Sequence, residues 1–237
     1  MGVRLAALLV IWSAATSSAT ACPLPPEASP ELARLSPDRR LEFLHRKLLL
    51  ASQEATTWST VWIGANALFI AGQGAVIPFY AENSRPVLVV GIAATVIAAI
   101  PLVVLPLQVV HDGPAYDERV RKARPADQCA LIAEGEKLLL RDSWAEVGVS
   151  NLTSHLINAF YNLGVGLLMG FAFHQWPSAV GAMASGFTIG EIAQFSSPRG
   201  LAVDVQDYFS GRLVTNAPPA VQLRPAAGAG VGFSVAF

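Results

Sequence analysis

NAFYNLGVGLLMGF (Asn158–Phe171) reproduces, 92 residues further along, the pattern of NALFIAGQGAVIPF (Asn66–Phe79). Asn, Ala, the two glycines of a G-x-G and the closing Phe fall at the same five places. Both copies sit in apolar stretches long enough to cross a bilayer, since a helix rising 1.5 Å per residue needs about 20 residues for a hydrocarbon core of about 30 Å. Working outward, spans are expected at 59–80, 86–110, 152–173 and 178–195. Each pair is joined by a short turn, AENSRP (81–86) or HQWP (174–177). Upstream of each hairpin lies an amphipathic stretch. Ser36-Pro37 reads as an N-cap followed by Pro at the first helical position, and Leu41, Leu44, Leu48 and Ala51 then form one stripe. Lys47-Leu48-Leu49-Leu50 of that helix recurs as Lys137-Leu138-Leu139-Leu140 in a second helix over 128–147. The repeating unit is therefore an amphipathic helix followed by a two-helix hairpin.

This predicts an all-α membrane protein, a four-helix transmembrane bundle built from two tandem repeats. Its divisions are a leader at 1–21, a Pro-rich linker at 22–35, repeat one at 36–110 and a polar connector at 111–127. Repeat two follows at 128–195, and a tail at 196–237 carries a short helix stopped by Gly211 and a small β-hairpin from AVQLRP and GVGFSVAF. An even number of spans per unit makes the repeats parallel, unlike the inverted repeats of many transporters. Pro101 and Pro106 are expected to kink the second span.

Composition agrees. Of 237 residues 53% are hydrophobic and only 14% charged, with a mean hydropathy of +0.46, against about 25% charged in soluble domains. A net charge of −1 and the lack of any basic cluster alternating with aromatics give no footprint for nucleic acid.

The N-terminus reads as an export signal: Arg4, the apolar run LAALLVIW (5–12) and the small-x-small site Ala19-Thr20-Ala21 before Cys22. Ala19 stands where a lipoprotein signal carries Leu, so cleavage without lipidation of Cys22 is expected. Export into an oxidising compartment allows Cys22 and Cys129, the two cysteines of the chain, to form a disulfide; the bland alternative is two free thiols. Fourteen of the 16 Lys and Arg lie in 23–57, 111–150 and 196–237, which the positive-inside rule would place in the cytoplasm. The signal sets sidedness first and long segments obey the charge rule weakly. The N-terminus, connector and C-terminus are therefore expected outside a bacterial inner membrane.

The residues able to carry chemistry are few. His155, Asn158 and Asn162 share one face of the third span, at i, i+3 and i+7, and Glu191 lies in the fourth. One reading is a proton or cation relay, because ionisable groups in a bilayer are costly and face the bundle interior. The plainer reading is interhelical glue, each hydrogen bond worth under about 2 kcal/mol, with His155 and Glu191 meeting near one membrane face. Ala67 and Ala71, and Gly186 and Gly190, stand at the small-xxx-small spacing that lets helices approach. No nucleophile motif, phosphate loop or metal-ligand spacing occurs, so no enzyme activity, cofactor or metal is expected.

The second hairpin resembles that of a group of uncharacterised exported bacterial multi-pass membrane proteins. The likeness rests on Asn158 and Asn162, GVGLLMG (164–170), Trp176, Gly190-Glu191 and Ser197-Pro198, with Cys22-Pro23 and Cys129-Ala130-Leu131 fitting the same pattern. It implies no activity and no catalytic residue. The function expected is that of a non-enzymatic envelope scaffold whose partners are membrane lipid and an envelope protein or a second copy. The competing expectation is a small oligomeric channel or transporter using Glu191, His155, Asn158 and Asn162.

Overall fold

The computed structural model describes residues 22–213 together with 221–225 and 231–235; the leader expected over 1–21 lies outside the described residues. The described residues are helical nearly throughout. After a single turn, α1 (Pro30–Ala33), the long helix α2 runs for 40 residues, Pro37–Val76. It starts where expected, with Ser36 Oγ accepting from the Arg39 N–H at 3.4 Å and Pro37 in the first turn. It does not stop at the amphipathic-to-apolar boundary, because no Gly or Pro interrupts QEATTWST and a change of hydropathy breaks no backbone hydrogen bond. Pro78 ends it in a 3₁₀ turn, Ile77–Phe79.

Helix α3 (Arg85–Val104) finishes six residues short of the span expected to reach Val110. Leu105 takes a non-helical conformation (φ −127°, ψ 55°), as the residue before Pro106 tends to. Pro101 is accommodated inside the helix. The connector expected at 111–127 is largely helical: α4 (Val109–Lys122) leads through a 3₁₀ turn into α5 (Gln128–Val149). Then come α6 (Leu152–Phe173), with the bounds expected, α7 (Trp176–Phe195) and α8 (Gly200–Phe209). Gly211 follows α8 at φ 73°, and a Cβ there would press on the Glu31 and Leu32 backbone. Near the C-terminus Val221–Pro225 (β1) and Val231–Val235 (β2) pair antiparallel, Val221 opposite Val235. The turn between them lies outside the described residues.

The helices sort into two parts. The N-terminal half of α2 packs with α4, α5 and α8 around Leu44, Leu48, Val109, Tyr116, Ile132, Leu139, Leu201 and Tyr208, all fully or almost fully buried. We call this part the head. A Cys22–Cys129 disulfide, with Cα atoms 5.0 Å apart, ties the start of the described chain to the start of α5. The segment 22–35 is more than a linker: Leu32 is fully buried and the Ser29 N–H donates to the Phe209 carbonyl at 3.0 Å.

The other part turns its apolar side chains outward. Leu68, Phe69, Val103, Ile157, Phe160 and Phe171 are all exposed. Among the described residues, three helical stretches are long and apolar enough to cross a membrane, Pro37–Phe79, Glu82–Lys122 and Pro125–Phe173. Their best windows have mean hydropathies of 1.4, 2.8 and 1.6, and little or none of each window is buried within the chain. An apolar surface of that extent calls for an apolar surrounding. α7, expected as a fourth span, is 20 residues long but is not among the three, its hydropathy lowered by Gly, Ser, Thr, Glu191 and Gln194.

Candidate functional site

A connected group of polar residues of the apolar part lies between α6 and α7. Asn151 caps α6, its Oδ1 accepting from the Ser154 N–H at 2.9 Å. At the other end His174 adopts a left-handed conformation (φ 52°) and its N–H returns to the Met169 carbonyl. Pro177 then opens α7. This short turn lays the helices antiparallel, so the first turns of α6 face the last turns of α7.

His155 and Glu191 meet there. His155 Nδ1 lies 2.7 Å from Glu191 Oε2, and their side chains are 25% and 16% exposed, so the pair is part-buried. Asn158 Nδ2 donates to Glu191 Oε1 at 2.8 Å and to the Phe187 carbonyl at 3.1 Å. Asn162 Nδ2 donates back to Asn158, to its carbonyl at 2.9 Å and its Oδ1 at 2.8 Å. The four polar residues singled out from the sequence thus form one connected ladder. Toward the head it continues through Gln194, whose Nε2 donates to the Ser154 carbonyl at 3.2 Å.

Gly186 and Gly190 make the ladder possible. A Cβ on Gly186 would collide with Asn162 Oδ1, and one on Gly190 with Asn158 Oδ1. Their use is to admit amide side chains rather than to let two bare backbones touch. Beyond Asn162 the contact turns apolar: Met183 occupies the space over Gly166 and the Trp176 ring that over Gly170. Met169 and Ala179 are fully buried there. Ten residues separate Leu152 from Asn162, so the ladder reaches about 15 Å along α6 and stops.

The other expected packing positions are placed differently. Ala67 and Ala71 are exposed on α2. The partly covered positions there are Trp62, Asn66, Ile70 and Gln73, because Gly91 of α3 leaves the gap that the Gln73 amide fills. Asn66, the counterpart of Asn158, donates only to the Trp62 carbonyl of its own helix, at 2.7 Å. Trp58 and Trp62 both direct Nε1 at Ser196 Oγ, 3.3 and 3.1 Å away, joining α2 to the end of α7.

A second polar centre, inside the head, was not singled out from the sequence. Arg40 donates to Glu136 Oε1 at 2.6 Å, to Tyr208 Oη at 3.1 Å and to the carbonyls of Cys22 and Pro23. Tyr208 Oη in turn donates to Glu136 Oε1 at 2.5 Å. The signal was available: Arg40 stands four and eight residues before Leu44 and Leu48, on the stripe read as core. Farther along α5, Glu146 Oε2 accepts the Leu201 N–H at 2.9 Å and so caps α8 from another helix. Glu146 Oε1 and Asp142 Oδ2 are buried with no hydrogen-bond partner among the described residues. Burial pushes the Glu146 carboxyl up to about 7 and that of Asp142 up to about 6.

Comparison with protein-family models, curated proteins and solved structures gives no match to this chain.

Proposed function

We propose that this chain is a non-enzymatic scaffold or interaction protein of the bacterial cell envelope, a disulfide-tied head carried on a four-helix membrane bundle. The observation that carries this reading is how the intramembrane polar groups are used. Asn158, Asn162, Glu191 and His155 bond to one another and to backbone. Their ladder ends at Asn162, with Met183 and Trp176 closing the remainder of the α6–α7 contact. A conducting path needs polar groups or water across the whole apolar thickness; a packing device needs only satisfied amides between close helices.

In this reading α7 crosses the membrane as the partner of α6, sheltering Glu191 and Gln194 against it. A duplicated, parallel architecture is supported by helix starts that recur at one spacing: Pro37 and Gln128, Arg85 and Trp176, Val109 and Gly200 are each 91 residues apart. The closing helices α4 and α8 thus belong to the repeat. The same buried face recurs too, with Leu48, Ala51, Ser52 and Ala55 answered by Leu139, Asp142, Ser143 and Glu146. The Cys22–Cys129 disulfide favours a head on the oxidising side of the inner membrane, and the β1–β2 hairpin of the tail lies on that side. The test is ion and proton flux through the protein in liposomes across pH. Flux at the level of empty vesicles, unchanged in Glu191→Gln, fits a scaffold. A pH-dependent flux abolished by that substitution would replace it with a channel or transporter.

A further inference from the structure

The head presents a face outside both the α6–α7 ladder and the Arg40–Glu136–Tyr208 cluster. Along the outer side of α5, running toward the membrane part, the exposed residues are Lys137, Arg141, Trp144 and Val147, followed by Leu152 at the start of α6. Trp144 is 73% exposed and Leu152 73%, large apolar side chains left mostly uncovered by the described residues. The order is basic, aromatic, aliphatic. That sequence of chemistries matches the bilayer boundary met from outside: phosphates that attract Lys and Arg, then the amphipathic layer in which Trp sits, then acyl chains.

The level of this face is fixed by its surroundings. Ala145, Gly148 and Ser154 line one hollow together with Leu105, Pro106 and Leu107, the corner where α3 ends. Leu105 is itself 76% exposed. Ser154 Oγ donates to the Gly148 carbonyl at 2.6 Å, holding the end of α5 against the first turn of α6. Trp144 therefore borders the level at which the apolar surface of α3 and α6 begins, and its face is continuous with that surface. Trp58 and Trp62, bonded to Ser196 at the end of α7, mark the same end of the bundle.

We propose that the Lys137–Arg141–Trp144–Val147 face of α5 is a membrane-contact surface, with Trp144 seated at the boundary between headgroups and acyl chains so that the head leans on the bilayer. Lys137 and Arg141 then face lipid phosphates. Asp112 and Asp142 already pair with Arg141, which leaves Lys137 as the freer cation.

The inference rests on reading the chain as a membrane protein, and one experiment separates the two. The full chain is reconstituted in vesicles of phosphatidylethanolamine and phosphatidylglycerol, and its tryptophan emission is compared with that of Trp144→Phe. The difference isolates the Trp144 contribution. Lipid brominated high on the acyl chain should at least halve that contribution, lipid brominated near the chain end should do less, and aqueous iodide should do little. A Trp144 contribution quenched by iodide and indifferent to both brominated lipids overturns the inference, while quenching of the remaining tryptophans by brominated lipid leaves the membrane reading intact. If no tryptophan responds to brominated lipid, the membrane reading falls and takes this inference with it. Should Trp144→Phe fail to fold, Trp144→Tyr supplies the same subtraction.

Discussion

Arg40 and Glu136 meet 2.6 Å apart inside the head, 96 residues apart in the chain, with side chains only 3% and 9% exposed. Each is the other's compensation for leaving water. The Arg40 guanidinium also bonds Tyr208 and two carbonyls beside the disulfide, so the pair knits α2, α5, α8 and the N-terminal segment.

Breaking one side of this pair should cost far more than its net contribution, because an uncompensated charge stays buried. Arg40→Met and Glu136→Leu, made singly, are expected to destabilise the head by about 3–5 kcal/mol. The double substitution should recover a large part of that loss. Thermal unfolding of the four proteins, followed by circular dichroism, measures the cycle. Purely additive losses would mean the two charges do not act as a unit.

The disulfide should matter through the unfolded chain. Cys22 and Cys129 are 107 residues apart, and closing a loop of that order removes denatured-state entropy worth about 4–5 kcal/mol. Cys22→Ser with Cys129→Ser should lower the unfolding midpoint of the head, while wild type in dithiothreitol should match the double variant. A midpoint unaffected by reductant would show that the bond contributes nothing under those conditions.

Glu146 gives the head a pH dependence of definite sign. Its carboxyl is pushed up to about 7 by burial, with Glu54 and Asp204 adding to the effect and the Leu201 and Ala202 N–H groups opposing it. A group raised in this way binds its proton more tightly folded than unfolded. Stability is then greatest below the unfolded value near 4.5 and falls as pH rises through about 7. Asp142, raised to about 6, acts in the same direction. The wild-type head should melt at a lower temperature at pH 8 than at pH 5. Glu146→Gln keeps an oxygen for the Leu201 N–H and removes the charge, so it should remove much of that difference. An unchanged slope in Glu146→Gln would assign the dependence to other groups.

Much of this was legible in the chain, and the exceptions have physical causes. The bounds of α6 followed from its apolar length, the stop after α8 from Gly211, and the disulfide from two cysteines behind a stretch that reads as an export signal. His155, Asn158, Asn162 and Glu191 could be assembled because a short turn fixes which residues face each other. α2 was read as two helices because hydropathy changes near Trp58, yet nothing there ends a helix. α3 was read too long because Pro106 was taken as a bend where it acts as a terminator. The buried charges were hidden for another reason: Arg40, Glu136, Asp142 and Glu146 occupy core-facing positions, and sequence patterning treats a charge as a sign of exposure.

The α6–α7 contact allows the sharpest test of the packing reading. Gly186 and Gly190 face Asn162 and Asn158 so closely that even a methyl group collides with the amide oxygens. Both asparagines would have to turn away, and Asn158 would release Glu191 Oε1. Gly190→Ala should therefore destabilise the hairpin by about 1–3 kcal/mol, the range for overpacking a close contact, and Gly190→Leu should prevent its assembly. Gly181, which has open space where a Cβ would stand, lies on the same helix and supplies the control: Gly181→Ala should be tolerated or mildly stabilising. Folded yield in detergent and resistance to proteolysis rank the variants. If Gly190→Ala and Gly181→Ala behave alike, the asparagine ladder is not what holds α6 to α7. If Asn158→Ala then rescues Gly190→Ala, the collision with that one amide is identified as the cause.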